Sequence, residues 1–288
     1  MVYRVVRIVT RNIGPKKYFY LQHSFRRNGK VVTKEKYLGR KIPKNANALM
    51  AAFREDLHTD VHEKLSCIRR HFQKEWKSLP PSVQGKEKEQ IAIAFTYNTN
   101  AIEGSTITLD ETREIIHERI SPNKPLRDVK ETEAHSKAFL AMLAKQERIT
   151  EALLLRWHKE LFGETKADIS GKYREYLVRV GNYVAPDWQD VKELMKRLIH
   201  FINNAKGNIV ENAARAHYKF ERIHPFGDGN GRIGRLLMNH MLWHSGYPML
   251  IIEYKKRKSY YRALNKGEEG FVNYFLRRYL AVHKKRLS

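Results

Sequence analysis

From Pro43 onward the chain repeats its apolar residues at intervals of three and four, and this periodicity constrains the fold more than any other feature of the sequence. In ALMAAFREDLHTDVHEKLSCIRRHFQKEW, the residues Leu49, Phe53, Leu57, Val61, Leu65, Ile68 and Phe72 fall on one helical face. The spacing predicts one long amphipathic helix, ended by Leu79-Pro80-Pro81. Further helices are expected over 86–102, 109–120, 129–143, 150–162, 190–203, 209–222, 233–244 and 260–284. The fold class expected is therefore mainly α, and 288 residues at 42% hydrophobic are enough to bury a core of that kind.

Two stretches break the helical texture. The first 45 residues read as strands: YRVVRIVT is followed by KKYFYLQHSF and KVVTKEKYLG, which flank Asn28-Gly29, a strong two-residue hairpin signal. A small basic β element over 1–44 and a helical domain over 45–288 are expected. Farther on, GKYREYLVRVGNYVAPDW (171–188) alternates in short β-type runs broken by Gly181-Asn182, which predicts a small hairpin over about 171–186.

Residues 1–45 carry thirteen Lys and Arg against one acid, Glu35, so this segment holds +12 of the formal +24. Such a surface attracts nucleic acid or another polyanion, and it is equally compatible with a solvated face. The most apolar stretch, LLMNHMLWHSGYPMLII, is interrupted by Asn239, His240, His244 and Pro248, so no membrane partner is expected and the location expected is cytoplasmic. Cys67 is the single cysteine, which excludes an internal disulfide, and no CxxC or HExxH motif signals zinc.

The stretch HPFGDGNGRIGR, residues 224–235, holds the candidate chemistry. Its G-x-G-x-x-G spacing fits a dinucleotide fingerprint, yet the preceding NIVENAARAHYKFERI has helical and not strand periodicity, and no P-loop motif occurs. Helix, glycine-rich loop, helix is the arrangement that fits. Loop amides at a helix N-terminus favour an anion, phosphate above all. Gly229 and Gly231 let the backbone form an anion-holding nest, Arg232 and Arg235 add charge, and Asp228 beside phosphate implies Mg²⁺. His224 is a candidate general base, and Phe226 a core anchor for the loop.

His224-Pro225-Phe226-Gly227-Asp228-Gly229-Asn230-Gly231-Arg232-Ile233-Gly234-Arg235 resembles the Fic motif H-x-F-x-[D/E]-G-N-G-R-x-x-R at every specified position. Weaker resemblance runs through 171–186 and Tyr260-Tyr261-Arg262-Ala263-Leu264. It implies a mostly helical fold and transfer of AMP from ATP to a protein hydroxyl on Ser, Thr or Tyr, on a target or on the enzyme itself. On that resemblance His224 deprotonates the hydroxyl and Asp228 holds Mg²⁺. Phe226, Gly227, Gly229, Asn230, Gly231, Arg232 and Tyr261 belong to the nucleotide site, Arg235 grips the γ-phosphate, and the hairpin serves as a flap. Thr99-Asn100-Ala101-Ile102-Glu103-Gly104 resembles the family's inhibitory pattern [S/T]-x-x-x-E-[G/N], in the subgroup whose inhibitory helix (about 86–103) precedes the core. There Glu103 would pair with Arg235 and deny it to ATP. The same residues also read as a helix end capped by Gly104, with Glu103 exposed. Alternatives on the same fold are removal of AMP or transfer of another nucleotidyl or phosphoryl group, and, from another class, a nucleic-acid-binding regulator with a relict site.

Overall fold

A computed structural model describes residues 6–27, 30–181 and 183–287. The expected turn residues Asn28-Gly29, and Asn182 of the second hairpin, lie outside the described residues. The architecture is mainly helical, with two small antiparallel sheets.

By compactness the chain divides into two units, Met1–Ile68 with Phe275–Ser288, and Arg69–Tyr274. In the first, β1 (Arg7–Ile13), β2 (Lys16–Arg27) and β3 (Lys30–Gly39) form an antiparallel sheet in that order. Alternation along β2 sends Leu21 and His23 inward, both buried. Leu21 forms a small core with Val6 and with Phe53, Leu49 and Met50 of the long helix α1 (Ala46–Ser78).

The second unit is built on α7 (Ile209–Ile223) and α8 (Asn230–His244), which pack along one another. Ala213, Ala214 and Ala216 are buried on α7, small side chains that let the helices approach closely. Helix α8 is buried from Arg232 to Leu242, as a central helix must be. Around it lie α2 (Pro81–Ile102), α4 (Leu126–Ala144) and α5 (Glu151–Phe162), while α6 (Val191–Asn204) flanks α7. Side-chain caps begin several of these helices: Thr150 accepts from Leu153 N–H at 3.2 Å for α5, and Asn208 from Val210 N–H at 2.9 Å for α7.

Three elements differ from the periodicity. The helix expected over 109–120 is a short α3 (Leu109–Arg113), opened by a Thr108/Glu111 capping box and continued by a π-helical turn, Glu114–Glu118, that ends at Arg119 with φ 61°. The helix expected over 260–284 is α9 (Arg257–Leu264) and α10 (Gly267–Val282), divided where Gly267 takes φ +80°. The hairpin pairs only β4 (Arg179–Val180) with β5 (Tyr183–Val184), and 171–178 is irregular. Among the described residues no helix is long and apolar enough to cross a membrane.

Candidate active site

Helix α7 ends at Ile223, and His224 turns the chain in the left-handed conformation, φ 51° and ψ 61°. The loop lasts only until Gly229, because α8 starts at Asn230, three residues before the apolar period does. Gly231 and Arg232, expected in the loop, are therefore helical. Asn230 makes this possible: its Oδ1 accepts from Phe226 N–H at 2.9 Å and its Nδ2 donates to Phe226 carbonyl at 2.8 Å. Both ends of the amide brace the loop, so Asn230 acts on any ligand through the loop's shape. Phe226 is fully buried and stacked on His158, ring centroids 3.9 Å apart.

Two glycines in the loop answer to close approach. A Cβ on Gly227 would lie 2.2 Å from Tyr176 Oη, and one on Gly229, at φ +77°, would lie 2.3 Å from the Phe162 ring. Gly229 offers α8 no capping side chain, so the first amides of that helix keep their donors for an anion.

A carboxylate already sits at this helix end. Glu103 Oε1 accepts from Arg235 Nη2 at 2.6 Å and lies 2.2 Å from where a Gly231 Cβ would be. Arg235 is buried and also donates from Nε to Thr99 Oγ1 at 2.7 Å and from Nη2 to Thr99 carbonyl at 3.1 Å. Gly104, at φ +92°, closes α2 by donating to Ala101 carbonyl at 3.1 Å. The cap and the ion pair thus coexist, and Glu103 is not merely exposed. Tyr261 on α9 is 40% exposed, and burial together with the Glu103 charge pushes its hydroxyl up to about 12.

A second cluster lines the same cavity as Glu103 at α8's N-terminus. Asp228, half exposed, meets Lys166 Nζ at 2.9 Å, and Lys166 also meets Glu131 at 2.7 Å. Glu131 is buried, bonded to Arg232 and to Thr165 Oγ1, and Arg232 lies 4.4 Å over the Phe162 ring. Burial alone would raise the Asp228 carboxyl, but the Lys166 hydrogen bond and the Arg232 charge hold it below its ordinary value. Among the described residues no three His, Cys, Asp or Glu side chains gather as a metal cage.

His224 is the third part. Burial lowers its pKa, so the imidazole is neutral near pH 7. Its Nδ1 faces Glu221 carbonyl at 3.4 Å, an arrangement that leaves Nε2 as the proton acceptor. The buried Arg174 donates to His224 carbonyl at 2.8 Å, Tyr176 carbonyl at 2.8 Å and Pro186 carbonyl at 2.7 Å, tying the hairpin to the loop. Tyr183 Oη adds a bond to Arg222 carbonyl at 2.7 Å, and the Arg222 guanidinium lies 3.3 Å from the Tyr183 ring centroid. His158 accepts from Gly171 N–H and presents Nε2 to Asp228 carbonyl at 3.0 Å.

Lys166, Glu131, Arg174 and His158 were not legible in the sequence, since each is one polar residue in a stretch without a motif. Glu221 belongs with them. Its Oε1 is buried without a hydrogen-bond partner, and burial pushes its carboxyl up to about 7. With the folded value above the unfolded one near 4.5, its contribution to stability is present below about pH 4.5 and lost as pH rises through about 7. Glu221→Gln is therefore expected to keep stability across that window that the parent loses, as thermal melts of both proteins from pH 5 to pH 8 would register.

Residues 148–242 match the model of the Fic/DOC family. The chain is 32% identical over 236 residues to the protein adenylyltransferase Fic of Drosophila mojavensis, covering 78% of this chain and 43% of that one. Its identity to the protein of the same name in Nematostella vectensis is 35%, over 63% of this chain and 44% of that one. Among solved structures, C. elegans Fic-1 (aa134–508) superposes with a TM-score of 0.68 at 28% identity, over 85% of this chain and 77% of that one. A Fic domain containing signaling protein from Bacteroides thetaiotaomicron VPI-5482 gives 0.67 at 25% identity, over 77% and 96%. The chain carries a domain of the Fic/DOC family at residues 148–242. It spans less than half the length of the curated relatives it matches.

Proposed function

We propose that the protein transfers AMP from ATP to a Ser, Thr or Tyr hydroxyl of a protein target, itself included, and that Glu103 restrains this activity. The observation that carries the reading is a neutral, half-buried histidine beside an uncapped helix N-terminus whose arginines are both engaged by carboxylates. A polyphosphate satisfies such an end of a helix better than a single carboxylate does, because it can meet the amides and both guanidinium groups at once. His224 Nε2 takes the proton while the target oxygen attacks the α-phosphorus. The bond from that phosphorus to the bridging oxygen breaks, and pyrophosphate leaves. The protein forms no covalent intermediate, so its share is positioning and charge stabilisation. Arg235 grips the γ-phosphate, the backbone of Gly227 to Gly231 with Arg232 steadies the inner phosphates, and Tyr261 borders the nucleotide.

Asp228 suits Mg²⁺ as a shared ion: one half-exposed carboxylate, with the rest of the shell coming from phosphates and water. Bound there, Mg²⁺ supplies charge to offset that of the phosphates. Lys166 competes for the same carboxylate, so Lys166→Met is expected to strengthen Mn²⁺ binding about fivefold, roughly 1 kcal/mol for a partly exposed pair. Titration followed by electron paramagnetic resonance checks this, and unchanged affinity would show that the ammonium does not guard the site. The hairpin serves as the flap, with Leu177 (65%), Val180 (41%) and Val184 (50%) exposed for a target strand to cover. Incubation with α-labelled and γ-labelled ATP tests the whole reading: label reaching protein from the α position alone is expected, and label from the γ position would replace it with phosphoryl transfer.

A further inference from the structure

We infer that the outer face of the β1–β3 sheet binds single-stranded nucleic acid. The register decides which residues share this face: Arg7 lies opposite Gln22, Arg11 opposite Tyr18, and Tyr20 opposite Tyr37, while Leu21 and His23 point the other way into the core. Three tyrosines from two strands therefore gather on the solvent side, Tyr20 and Tyr37 with ring centroids 5.1 Å apart and Tyr18 and Tyr37 6.2 Å apart. Tyr37 is 52% exposed. Tyr20 and Tyr37 stabilise the sheet as a cross-strand pair and at the same time leave aromatic surface open to a ligand.

Charge selects the class of partner. Arg11 lies 5.2 Å over the Tyr20 ring and Arg40 5.9 Å over that of Tyr18. Glu35, the one acid among residues 1–45, accepts from Arg11 at 2.5 Å and from Gln22 at 2.7 Å, so its charge is met within the face. With Arg7, Arg11 and Arg40 against the single acid Glu35, and aromatic rings among them, this face suits a strand that offers phosphates and unpaired bases together. In a duplex the base faces are stacked on one another, whereas an unpaired base leaves both faces for a ring. An acidic polypeptide or a sulfated polysaccharide offers the charge without the bases.

The experiment is fluorescence anisotropy of the full chain with a labelled mixed-sequence single-stranded oligonucleotide, competed by unlabelled duplex, polyglutamate and heparin. The expected result is salt-sensitive binding to the single strand, tighter than to the duplex. Affinity should fall at least about tenfold in a Tyr20→Leu, Tyr37→Leu double variant, since stacking of one base is worth roughly 1–3 kcal/mol. Circular dichroism of the double variant reports whether the sheet survives. Tyr37→Trp, which keeps a ring, should bind at least as well as the parent and serves as the second variant if the double one does not fold. Absence of binding, tighter binding to duplex, or heparin and polyglutamate competing as strongly as unlabelled single strand while Tyr37→Trp and the double variant bind alike would each overturn the inference.

Discussion

Replacing Glu103 by glycine is expected to raise transfer of label from α-labelled ATP to protein by about 30- to 150-fold, the population change that corresponds to a bias of ~2–3 kcal/mol for the closed pair. The bias has two sources in the structure. Glu103 engages Arg235 at 2.6 Å, and the same oxygen stands against Gly231 at the open end of α8, where a phosphate would also have to sit. One carboxylate thus excludes the nucleotide from a guanidinium and from a helix terminus together. Removing it does not set Arg235 adrift, because Thr99 still accepts from Nε at 2.7 Å and from Nη2 at 3.1 Å. The guanidinium stays aimed at the cleft, buried and without an anion, so the variant should also melt at lower temperature than the parent and regain more on adding ATP. Arg235→Ala should not imitate it, since that change removes the lock and the phosphate grip together. Equal labelling by parent and Glu103→Gly would end the inhibitory reading.

His224→Ala in the Glu103→Gly background is expected to lose about a hundred- to ten-thousand-fold in transfer, the usual worth of a positioned general base, with nucleotide affinity within about twofold. Affinity should survive because the helix amides and the arginines proposed to hold the phosphates are left in place. A backbone effect must be separated from the chemical one. His224 sits at φ 51°, a conformation alanine adopts with strain but asparagine tolerates. His224→Asn therefore keeps the turn, and with it the Arg174 bond to the residue 224 carbonyl, while removing the base. Both variants should be inactive if proton transfer is what His224 supplies. Activity retained in His224→Asn but lost in His224→Ala would assign the histidine to the turn and give the proton to another group.

The helical class, the long α1 and the basic strand-rich start were legible because each rests on local periodicity or composition repeated over many residues. Twelve contiguous residues, 224–235, likewise carried the candidate base, the acid, both arginines and the glycines, since a loop leading into a helix N-terminus is a local device. Where sequence reading stopped was at local ambiguity. The apolar period begins at Ile233, so the start of α8 was expected there and not at Asn230. Asn230 bonding back to Phe226, and Phe162 packed against Gly229, draw the helix into the glycine stretch.

Partners far apart in the chain were decided by the tertiary structure alone. Glu131 and Arg232 are 101 residues apart, and His158 reaches Asp228 across 70. Arg174 donates to the His224 carbonyl across 50 residues while also holding those of Tyr176 and Pro186, a set that no pattern singles out. Lys166, one lysine in a very basic chain, becomes distinct only when folding sets it between two carboxylates. By itself the sequence determined which chemical groups the loop carries, because identity and short-range spacing are properties of the chain. Which of those groups are neutral, which are occupied and which remain open follows from burial and from the charges brought beside them, and only the packing of α2, α4, α5 and the hairpin around α8 supplies both.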